Sequence, residues 1–419
     1  MYGLRRFGIK LGLGTIRHIL QGLGNPQDRF RSVHIAGTNG KGSIASTLAA
    51  ILTAAGYRVG LFTSPHLVRF NERIRIAEQP ISDDDVLRAH RAIQSLHWGP
   101  REPTFFEYST AMALHEFGRA QVDWAIIEAG MGGRLDATNA ITPELSVISN
   151  ISLEHRAYLG NTIAQIASEK AGIIKPAVPV VTGVKQPAAI AAVEAQALRR
   201  KAPLYRLGRH FRVRRDRSQR FTYFGLDDIW RGLRPSLPGD HQIDNTALVL
   251  AVCELLNARG LNISMDTIRR GLDRTQWPGR LEIVSRDPFV LLDGAHNLVA
   301  AKALARYLAR ALEGRNITLV AGILDDKPYS AMLQCLLPLC RRAIVTRPRI
   351  DRALTPETLY AEARKWVPEV QLTQDVDSAV RLALDTALEG EAICIAGSLY
   401  VVGEAKEAIA RGIPGLARS

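Results

Sequence analysis

The chain has 419 residues, of which 47% are hydrophobic and 23% charged, a composition typical of a globular protein long enough for two domains. No apolar run reaches the roughly 20 residues of a membrane helix, and no clean apolar stretch near the N-terminus indicates a signal peptide. Four scattered cysteines without a Cys-x-x-Cys pair disfavour a disulfide framework or a zinc knuckle. We therefore expect a cytoplasmic protein that does not associate with membranes.

Lysine and arginine exceed aspartate and glutamate by 13, an excess that can reflect binding to nucleic acid, anionic lipid or acidic small molecules. The basic residues are dispersed along the chain. Their densest cluster, between Arg209 and Arg220, contains Arg212, Arg214, Arg215 and Arg217. For this cluster a solvated loop or hairpin is favoured over a binding patch. Charge alone therefore does not identify a partner.

Short β-branched runs alternate with amphipathic helical patterns, which is typical of parallel α/β architecture. The predicted strands of the first part of the chain span residues 33–36, 59–62, 122–127, 145–149 and 178–182. One predicted helix follows the first strand, because a single apolar face is formed by Ile44, Leu48, Ile51, Leu52 and Ala55. Another helix is predicted near residues 244–258.

A domain boundary is predicted at Trp277-Pro278-Gly279-Arg280, where proline and glycine interrupt both periodicities. The alternation then restarts, with predicted strands at 289–292, 317–321, 343–346, 370–373 and 392–396. Helical patterns lie at about 298–312, 329–337, 355–367, 377–388 and 399–410. The sequence thus predicts one domain over residues 1–276 and a smaller Rossmann-like α/β domain over residues 281–419.

Polar side chains follow five of the predicted strands. In open parallel sheets ligands bind beyond the carboxyl ends of the strands, so we expect these residues to mark one cleft. They are the glycine-rich loop 37–43, Thr63 with Ser64 and His66, Glu128 with the glycines after it, Asn150 with Glu154 and His155, and Asp293 with His296.

The loop Gly37-Thr38-Asn39-Gly40-Lys41-Gly42-Ser43 departs from a strict P-loop, because a glycine separates the lysine from the serine. The physical basis for phosphate binding is nevertheless present. Glycines let backbone N–H groups converge on phosphate oxygens, a helix N-terminus adds its positive end, and Lys41 adds a full charge. We predict that the N-terminal domain is a P-loop-type parallel-sheet domain that binds nucleotide phosphates.

Glu128 ends an apolar strand, where an ionised carboxylate is costly without a partner. A divalent metal is the natural partner, and Ser64 and His155 could join it from neighbouring strand ends. Mg²⁺ prefers oxygen ligands and keeps waters while it bridges nucleotide phosphates. The spacing alone predicts that Lys170 is an exposed lysine of an amphipathic helix. Asn245 likewise reads as a solvated polar residue of its helix.

Nearly the whole chain carries stretches that resemble the folylpolyglutamate synthase/dihydrofolate synthase family, within the Mur ligase superfamily of ATP-dependent amide ligases. They are Arg6–Leu13, His34–Ser43, Phe62–Leu67, Phe70–Ile74, Glu128–Asn139, Glu169–Ile173, His241–Ala247, Trp277–Arg280 and Asp293–Asn297. The resemblance implies a Mur ligase-like fold, with a central-like ATP-binding domain followed by a glutamate ligase domain. The sequence differs from the family at Glu154, where an aspartate is common, but a carboxylate is retained.

The resemblance also implies roles for individual residues. Thr38, Asn39, Gly40, Lys41, Gly42, Ser43, Asn245, Arg280, Asp293 and His296 would bind ATP. Two Mg²⁺ ions are implied, one held by Ser64 and Glu128 and one served by His155, Glu128 and Lys170, with Lys170 carbamylated by CO₂. Lys41, Lys170, Glu128 and His155 would be catalytic. The pterin or folate pocket would be lined by Thr104, Phe105, Phe106, Glu107, Arg134, Leu135 and Asp136.

The implied activity is that of a monomeric ligase adding L-glutamate to dihydropteroate, to reduced folates, or to both, through an acyl phosphate. A Mur-type ligase for another carboxylate is an alternative that residues 62–67 and 104–107 disfavour. A P-loop ATPase coupled to nucleic acid is a second alternative, and an inactive binding paralogue a third. The positive charge suits ATP and polycarboxylate substrates better than nucleic acid. No membrane or nucleic-acid partner is therefore expected.

Overall fold

The structure is a computed structural model that describes residues 10, 12–99, 101–216 and 220–412. Arg217 and most of the Arg6–Leu13 stretch lie outside these residues. The chain divides into two compact units: the second comprises residues 67–69, 237–241 and the chain from 277 onward, and the first comprises the rest. Among the described helices, none is long and apolar enough to cross a bilayer.

The first unit is built on an eight-stranded sheet in the order β4-β3-β2-β5-β1-β6-β7-β8. Six neighbouring strands, from β2 to β8 in that order, are parallel, and β3 and β4 extend the β2 edge in antiparallel pairing. The strands are β1 (Arg31–Ala36), β2 (Val59–Phe62), β3 (Ile74–Ile76), β4 (Gln79–Pro80), β5 (Trp124–Glu128), β6 (Leu145–Ile148), β7 (Val180–Thr182) and β8 (Leu204–Arg206). The five strands predicted in this part of the chain are therefore present, and the parallel α/β class is confirmed.

Helices cover both faces of this sheet. They are α1 (Gly14–Gly22), α2 (Lys41–Ala54), α3 (Asp83–Gln94), α4 (Phe105–Arg119), α5 (Arg156–Leu159), α6 (Ile163–Ala171), α7 (Pro187–Arg199), α8 (Asp240–Asn257) and α9 (Met265–Arg274). One apolar core joins α2, α8 and α9 to residues such as Val33, Ile126 and Val147 of the sheet. A second core joins α1, α3 and α4 to Phe62 and Ile127. Strands buried on both faces explain the continuous apolar runs in the sequence.

Arg212, Arg214 and Arg215 of the basic cluster lie in a separate three-stranded antiparallel sheet made of β9 (Arg212–Arg215), β10 (Phe221–Phe224) and β11 (Ile229–Leu233). The Arg212 and Arg214 guanidiniums lie 4.7 and 5.7 Å from the centroid of the Phe224 ring. Tyr223 faces the opposite side and is buried in the core. In β9 and β10, Arg212, Arg214 and Phe224 thus lie on one face, and Val213 and Tyr223 lie on the other.

The second unit contains a six-stranded sheet in the order β12-β13-β17-β14-β15-β16. All pairs are parallel except β12 with β13. Its elements are β12 (Glu282–Arg286), β13 (Phe289–Leu292), α10 (Leu298–Ala311), β14 (Ile317–Ala321), α11 (Tyr329–Leu336), β15 (Arg342–Val345), α12 (Pro356–Ala363), β16 (Glu369–Leu372), α13 (Val376–Asp385), β17 (Ala392–Ala396) and α14 (Leu399–Ala410). The predicted smaller α/β domain is therefore confirmed as a fold. Among the described strands of this second unit, only the antiparallel edge strand β12 was not predicted.

Candidate active site

The glycine-rich loop joins the end of β1 to the start of α2 and is shaped by close approaches. Gly40 has φ +83°, and a Cβ at this position would lie 2.6 Å from the Asn245 side-chain oxygen. A Cβ on Gly37 would lie 1.8 Å from Ser149 Oγ. Only glycine satisfies both the backbone conformation and the available space at these two positions. The loop therefore reaches the N-terminus of α2 in a fixed conformation suited to an anion.

The residues that follow β6 anchor this loop from the side. Asn39 N–H donates to Asn150 Oδ1 at 3.0 Å, and Asn39 O accepts from Asn150 Nδ2 at 2.8 Å and from Ser149 Oγ at 2.7 Å. Thr38 Oγ1 accepts from Ser152 N at 3.0 Å. Asn150 therefore holds the backbone of the glycine-rich loop at Asn39. Its position after a strand predicted that it lies in the cleft, but not this contact.

Three predicted site residues meet at the ends of neighbouring strands β2, β5 and β1. Lys41 Nζ lies 3.8 Å from Glu128 Oε1 and donates to Thr38 O at 3.2 Å. Glu128 is only 4% exposed, and its Oε2 accepts the Ser64 backbone N–H at 3.1 Å. Because parallel strands end at the same edge of a sheet, residues 64 positions apart in the chain converge here.

Lys170 corrects the prediction made from spacing alone, because it is not an exposed lysine. Lys170 lies near the end of α6 and is only 4% exposed. Its Nζ donates to Gly37 O at 2.7 Å. Burial lowers its pKa to about 7; the charge of Lys41 acts in the same direction, while Glu154 and Asp136 oppose it. The structure thus places a weakly basic amine directly beneath the phosphate loop.

His155 lies exposed in a left-handed conformation (φ +52°) immediately before α5. Its neighbour Glu154 is near enough to Lys170 to raise that amine's pKa, so this loop faces the same region. Within the described part of the chain, no group of three or more His, Cys, Asp or Glu side chains is placed to hold a metal. A metal here would rely on few protein carboxylates together with nucleotide phosphates, which is how Mg²⁺ is usually bound.

Asn245 is likewise a correction, since it is 7% exposed and not a solvated helix residue. Its Nδ2 donates to Gln242 Oε1 at 2.9 Å, and Gln242 Nε2 donates to Ser43 Oγ at 3.2 Å. The first turns of α8 therefore contact both Gly40 and Ser43, at the N-terminus of α2. In the sequence, Gln242 is only one residue of the stretch His241–Ala247, and its contact with Ser43 appears only in the tertiary structure.

Thr104 and Glu107 form the N-terminal capping box of α4. Glu107 Oε2 accepts the Thr104 N–H at 2.8 Å, and Thr104 Oγ1 accepts the Glu107 N–H at 3.2 Å. Glu107 is 3% exposed and also forms a bidentate ion pair with Arg101 at 2.7 and 2.8 Å. These polar groups hold the start of the helix, and Arg101 is the partner that sequence analysis missed.

Phe105 and Phe106 follow the cap and lie among other aromatic side chains. The Phe106 ring is 6.0 Å from Phe62 and covers Gly130, where a Cβ would come within 2.5 Å of it. The Phe105 ring meets Phe70 edge to face at 6.1 Å. The structure therefore brings the Phe106 ring next to the loop that follows Glu128, whereas the Phe105 ring packs against Phe70.

The remaining predicted pocket residues have different environments. Arg134 is exposed and pairs with Glu169 at 2.9 Å, Leu135 is half-buried, and Asp136 is buried. Asp136 accepts hydrogen bonds from the Met131 and Thr138 backbone N–H groups at 2.8 and 3.0 Å. Burial raises the pKa of Asp136, an effect that these hydrogen bonds and the charge of Lys41 oppose.

Three predicted nucleotide-binding residues lie together in the second unit: Asp293 and His296 follow β13, and Arg280 precedes β12. Asp293 accepts the Leu281 and Ala295 backbone N–H groups, each at 2.9 Å. Arg280 Nη1 donates to Gly294 O at 2.9 Å, and His296 Nδ1 lies 2.8 Å from the same oxygen. Burial raises the pKa of Asp293, with Arg280 the largest opposing influence. Arg280 and His296 thus converge on one carbonyl group beside a buried carboxylate.

Comparison with known proteins gives a consistent result over both units. Residues 35–253 match the Mur ligase middle domain, and residues 279–399 match the glutamate ligase domain of Mur ligases. The dihydrofolate synthase/folylpolyglutamate synthase of Bacillus subtilis is 36% identical over 420 residues, covering 97% of this chain and 97% of that protein.

Solved structures agree with this relationship. The Mycobacterium tuberculosis folylpolyglutamate synthase complexed with ADP has a TM-score of 0.90 and 33% identity, covering 99% of this chain and 98% of that one. The bifunctional Yersinia pestis enzyme complexed with AMPPNP and Mn ion has a TM-score of 0.86 and 32% identity, covering 96% and 94%. The chain therefore belongs to the folylpolyglutamate synthase/dihydrofolate synthase family of Mur ligases.

Proposed function

We propose that this chain is an ATP-dependent ligase that joins L-glutamate to dihydropteroate, to reduced folates, or to both. The observation that carries the proposal is the convergence of Lys41, Glu128 and Ser64 at the phosphate loop, in a chain that belongs to this family of ligases. The loop supports phosphate binding, and the adjacent aromatic rings Phe105 and Phe106 supply apolar surface for a flat heterocycle.

The chemistry follows from the low electrophilicity of a carboxylate. The acceptor carboxylate attacks the γ-phosphorus of ATP, the bond to the β–γ bridging oxygen breaks, and ADP leaves. The amine of glutamate then attacks the acyl phosphate carbon, loses a proton and expels inorganic phosphate as the amide forms. Lys41 and the N–H groups at the start of α2 would neutralise charge on the transferred phosphoryl group.

The residues at the loop fit a divalent metal. Ser64 and Glu128 would hold one Mg²⁺, and Glu128, His155 and a carbamylated Lys170 would serve a second. The buried, weakly basic amine of Lys170 supports this assignment, because a neutral amine can react with CO₂ to give a carboxylate-like ligand. When bound, Mg²⁺ neutralises phosphate charge.

The other predicted residues keep their proposed roles. Thr38, Asn39, Gly40, Gly42, Ser43, Asn245, Arg280, Asp293 and His296 are assigned to the nucleotide. Residues 104–107 and 134–136 are assigned to the acceptor, but two of them act indirectly. Thr104 and Glu107 would position the rings of Phe105 and Phe106 through the helix cap.

The direct test is ADP release measured with ATP, Mg²⁺, L-glutamate and either dihydropteroate or tetrahydrofolate. We expect release only when both the acid and glutamate are present, with one ADP for each glutamate joined. Comparing the two acids shows which is preferred. If neither dihydropteroate nor tetrahydrofolate supported ADP release and a different carboxylate did, a Mur-type ligase of another specificity would be favoured.

A further inference from the structure

A buried histidine lies beneath the site and has no part in the mechanism above. His34 is in β1, three residues before the phosphate loop, and is 0% exposed. Its Nε2 lies 2.8 Å from Thr138 Oγ1, whereas its Nδ1 is buried without a hydrogen-bond partner among the described residues. Burying an imidazole ring costs free energy when one of its nitrogens has no hydrogen-bond partner. We therefore ask what its one hydrogen bond, to Thr138, contributes.

Thr138 connects this ring to Asp136. Its Oγ1 lies 2.5 Å from Asp136 Oδ1. Both oxygens of Asp136 already accept backbone N–H groups, so Thr138 donates its single hydroxyl proton to Asp136, and the same hydroxyl oxygen then accepts from His34. His34 must therefore carry its proton on Nε2, which leaves Nδ1 as an unpaired acceptor. Burial, and secondarily the charge of Lys175, lowers the His34 pKa to about 3, so the ring is neutral.

Asp136 carries the connection to the loop that follows Glu128. Its Oδ2 accepts the Met131 N–H at 2.8 Å, which fixes the part of the loop where Gly130 packs under the Phe106 ring. The other end of the loop has its own anchor, because Arg134 N–H donates to Glu169 O at 2.8 Å. The His34–Thr138–Asp136 hydrogen-bond chain therefore anchors the end of the loop that lies against the Phe106 ring.

We propose that His34 and Thr138 are positioning residues that orient Asp136 and hold residues 129–136 in the conformation that accepts the pterin-bearing acid. This inference rests on the proposed function, since it names what the loop binds. Neither residue touches the reacting atoms. Their loss should therefore weaken acceptor binding while leaving the ATP site, which is anchored by Asn150 and Ser149, unchanged.

The kinetic test compares Thr138→Val with Thr138→Ser, which keeps the hydroxyl, and His34→Leu with His34→Gln, which keeps an N–H near the Nε2 position. We expect Thr138→Val to raise the KM for the acceptor about tenfold, the effect of one buried hydrogen bond to a charged group. His34→Leu removes a bond between two neutral groups, so it should raise the same KM by a smaller factor. The KM for ATP should not change. Thr138→Ser and His34→Gln should have a KM for the acceptor close to that of the wild type.

The double variant Thr138→Val/His34→Leu distinguishes a connected chain from two separate packing defects. If the three residues act as one hydrogen-bond chain, the KM of the double variant for the acceptor should match that of Thr138→Val, because that change alone already removes the bond to His34. Thr182→Val is the matched control, since it also removes a buried hydroxyl, which bonds Ile148 O at 2.9 Å. It should lower thermal stability without raising the KM for the acceptor.

A second measurement does not depend on turnover. Amide hydrogen exchange at Met131 should be faster in Thr138→Val than in wild type or Thr182→Val. Unchanged exchange at Met131, or an unchanged acceptor KM with only a lower melting temperature, would overturn the inference. If the wild-type protein were inactive with both acids, the proposed function and the acceptor role would be refuted. The exchange result would still decide whether the His34–Thr138–Asp136 hydrogen bonds position the loop.

Discussion

Lys170 is held where an ammonium charge is costly and where an uncharged amine is reactive. Its pKa of about 7 lies below the ordinary 10.5 chiefly because of burial. We expect Lys170→Ala to reduce turnover nearly to zero, because the proposed metal ligand is lost. Lys170→Arg is the control, since it keeps a positive charge but cannot form the carbamate. Near-normal ADP release in either variant would contradict the assignment.

The same residue gives a pH prediction. Above pH 7 the neutral amine predominates and can react with CO₂, whereas below pH 7 protonation removes its nucleophilic lone pair. With ¹³C-labelled bicarbonate, we expect a carbamate carbonyl signal in the NMR spectrum that grows as the pH rises through about 7. The signal should be missing from Lys170→Ala. A signal of equal strength in that variant would assign the carbamate to another amine.

At the scale of one element, the start of α4 depends on a buried carboxylate. Glu107 satisfies the Thr104 N–H and neutralises Arg101. Replacing Glu107 with alanine should lower the free energy of unfolding by about 3 kcal/mol, because buried donors and a charge lose their partner. We also expect a higher KM for the acceptor, since Phe105 and Phe106 occupy the first turn. Urea denaturation and steady-state kinetics measure the two effects.

The capping box of α3 supplies a matched control. Ser82 accepts the Asp85 N–H, and Asp85 accepts the Ser82 N–H, each at 3.1 Å on an exposed helix. Ser82→Ala should cost about 1 kcal/mol of stability and leave the KM for the acceptor unchanged. If both variants raised that KM equally, the effect would come from general loosening and the role of α4 would be wrong.

At the scale of the whole molecule, the net charge of +13 does not by itself indicate a nucleic-acid partner. Within the described residues many arginines pair with carboxylates, as Arg215 does with Asp244 at 3.1 Å and Arg310 with Asp240 at 3.0 Å. We expect a DNA or RNA oligonucleotide to leave ADP release unchanged at every salt concentration. Strong stimulation that disappears steeply with added salt would favour a nucleic-acid-coupled ATPase.

The long-range contacts explain which site residues sequence patterns could identify. Lys41, Glu128 and Ser64 follow apolar strands, and the ends of parallel strands are known to meet, so their convergence was predictable. Lys170 and Asn245 lie within helices whose spacing gives no sign of burial. Their environment depends on Gly37 and Gly40, which are distant in the chain. Only the family resemblance singled them out in advance.

The sequence by itself determined the parallel α/β class and the order of most strands and helices, and it predicted a division near Trp277 and a phosphate-binding loop, because these follow from periodicity and local turn chemistry. The tertiary structure decided the burial of Lys170, the partners of Glu107 and the His34–Thr138–Asp136 chain. Each of these depends on side chains brought together from separate strands and helices, where burial changes both the pKa and the cost of an unmade hydrogen bond.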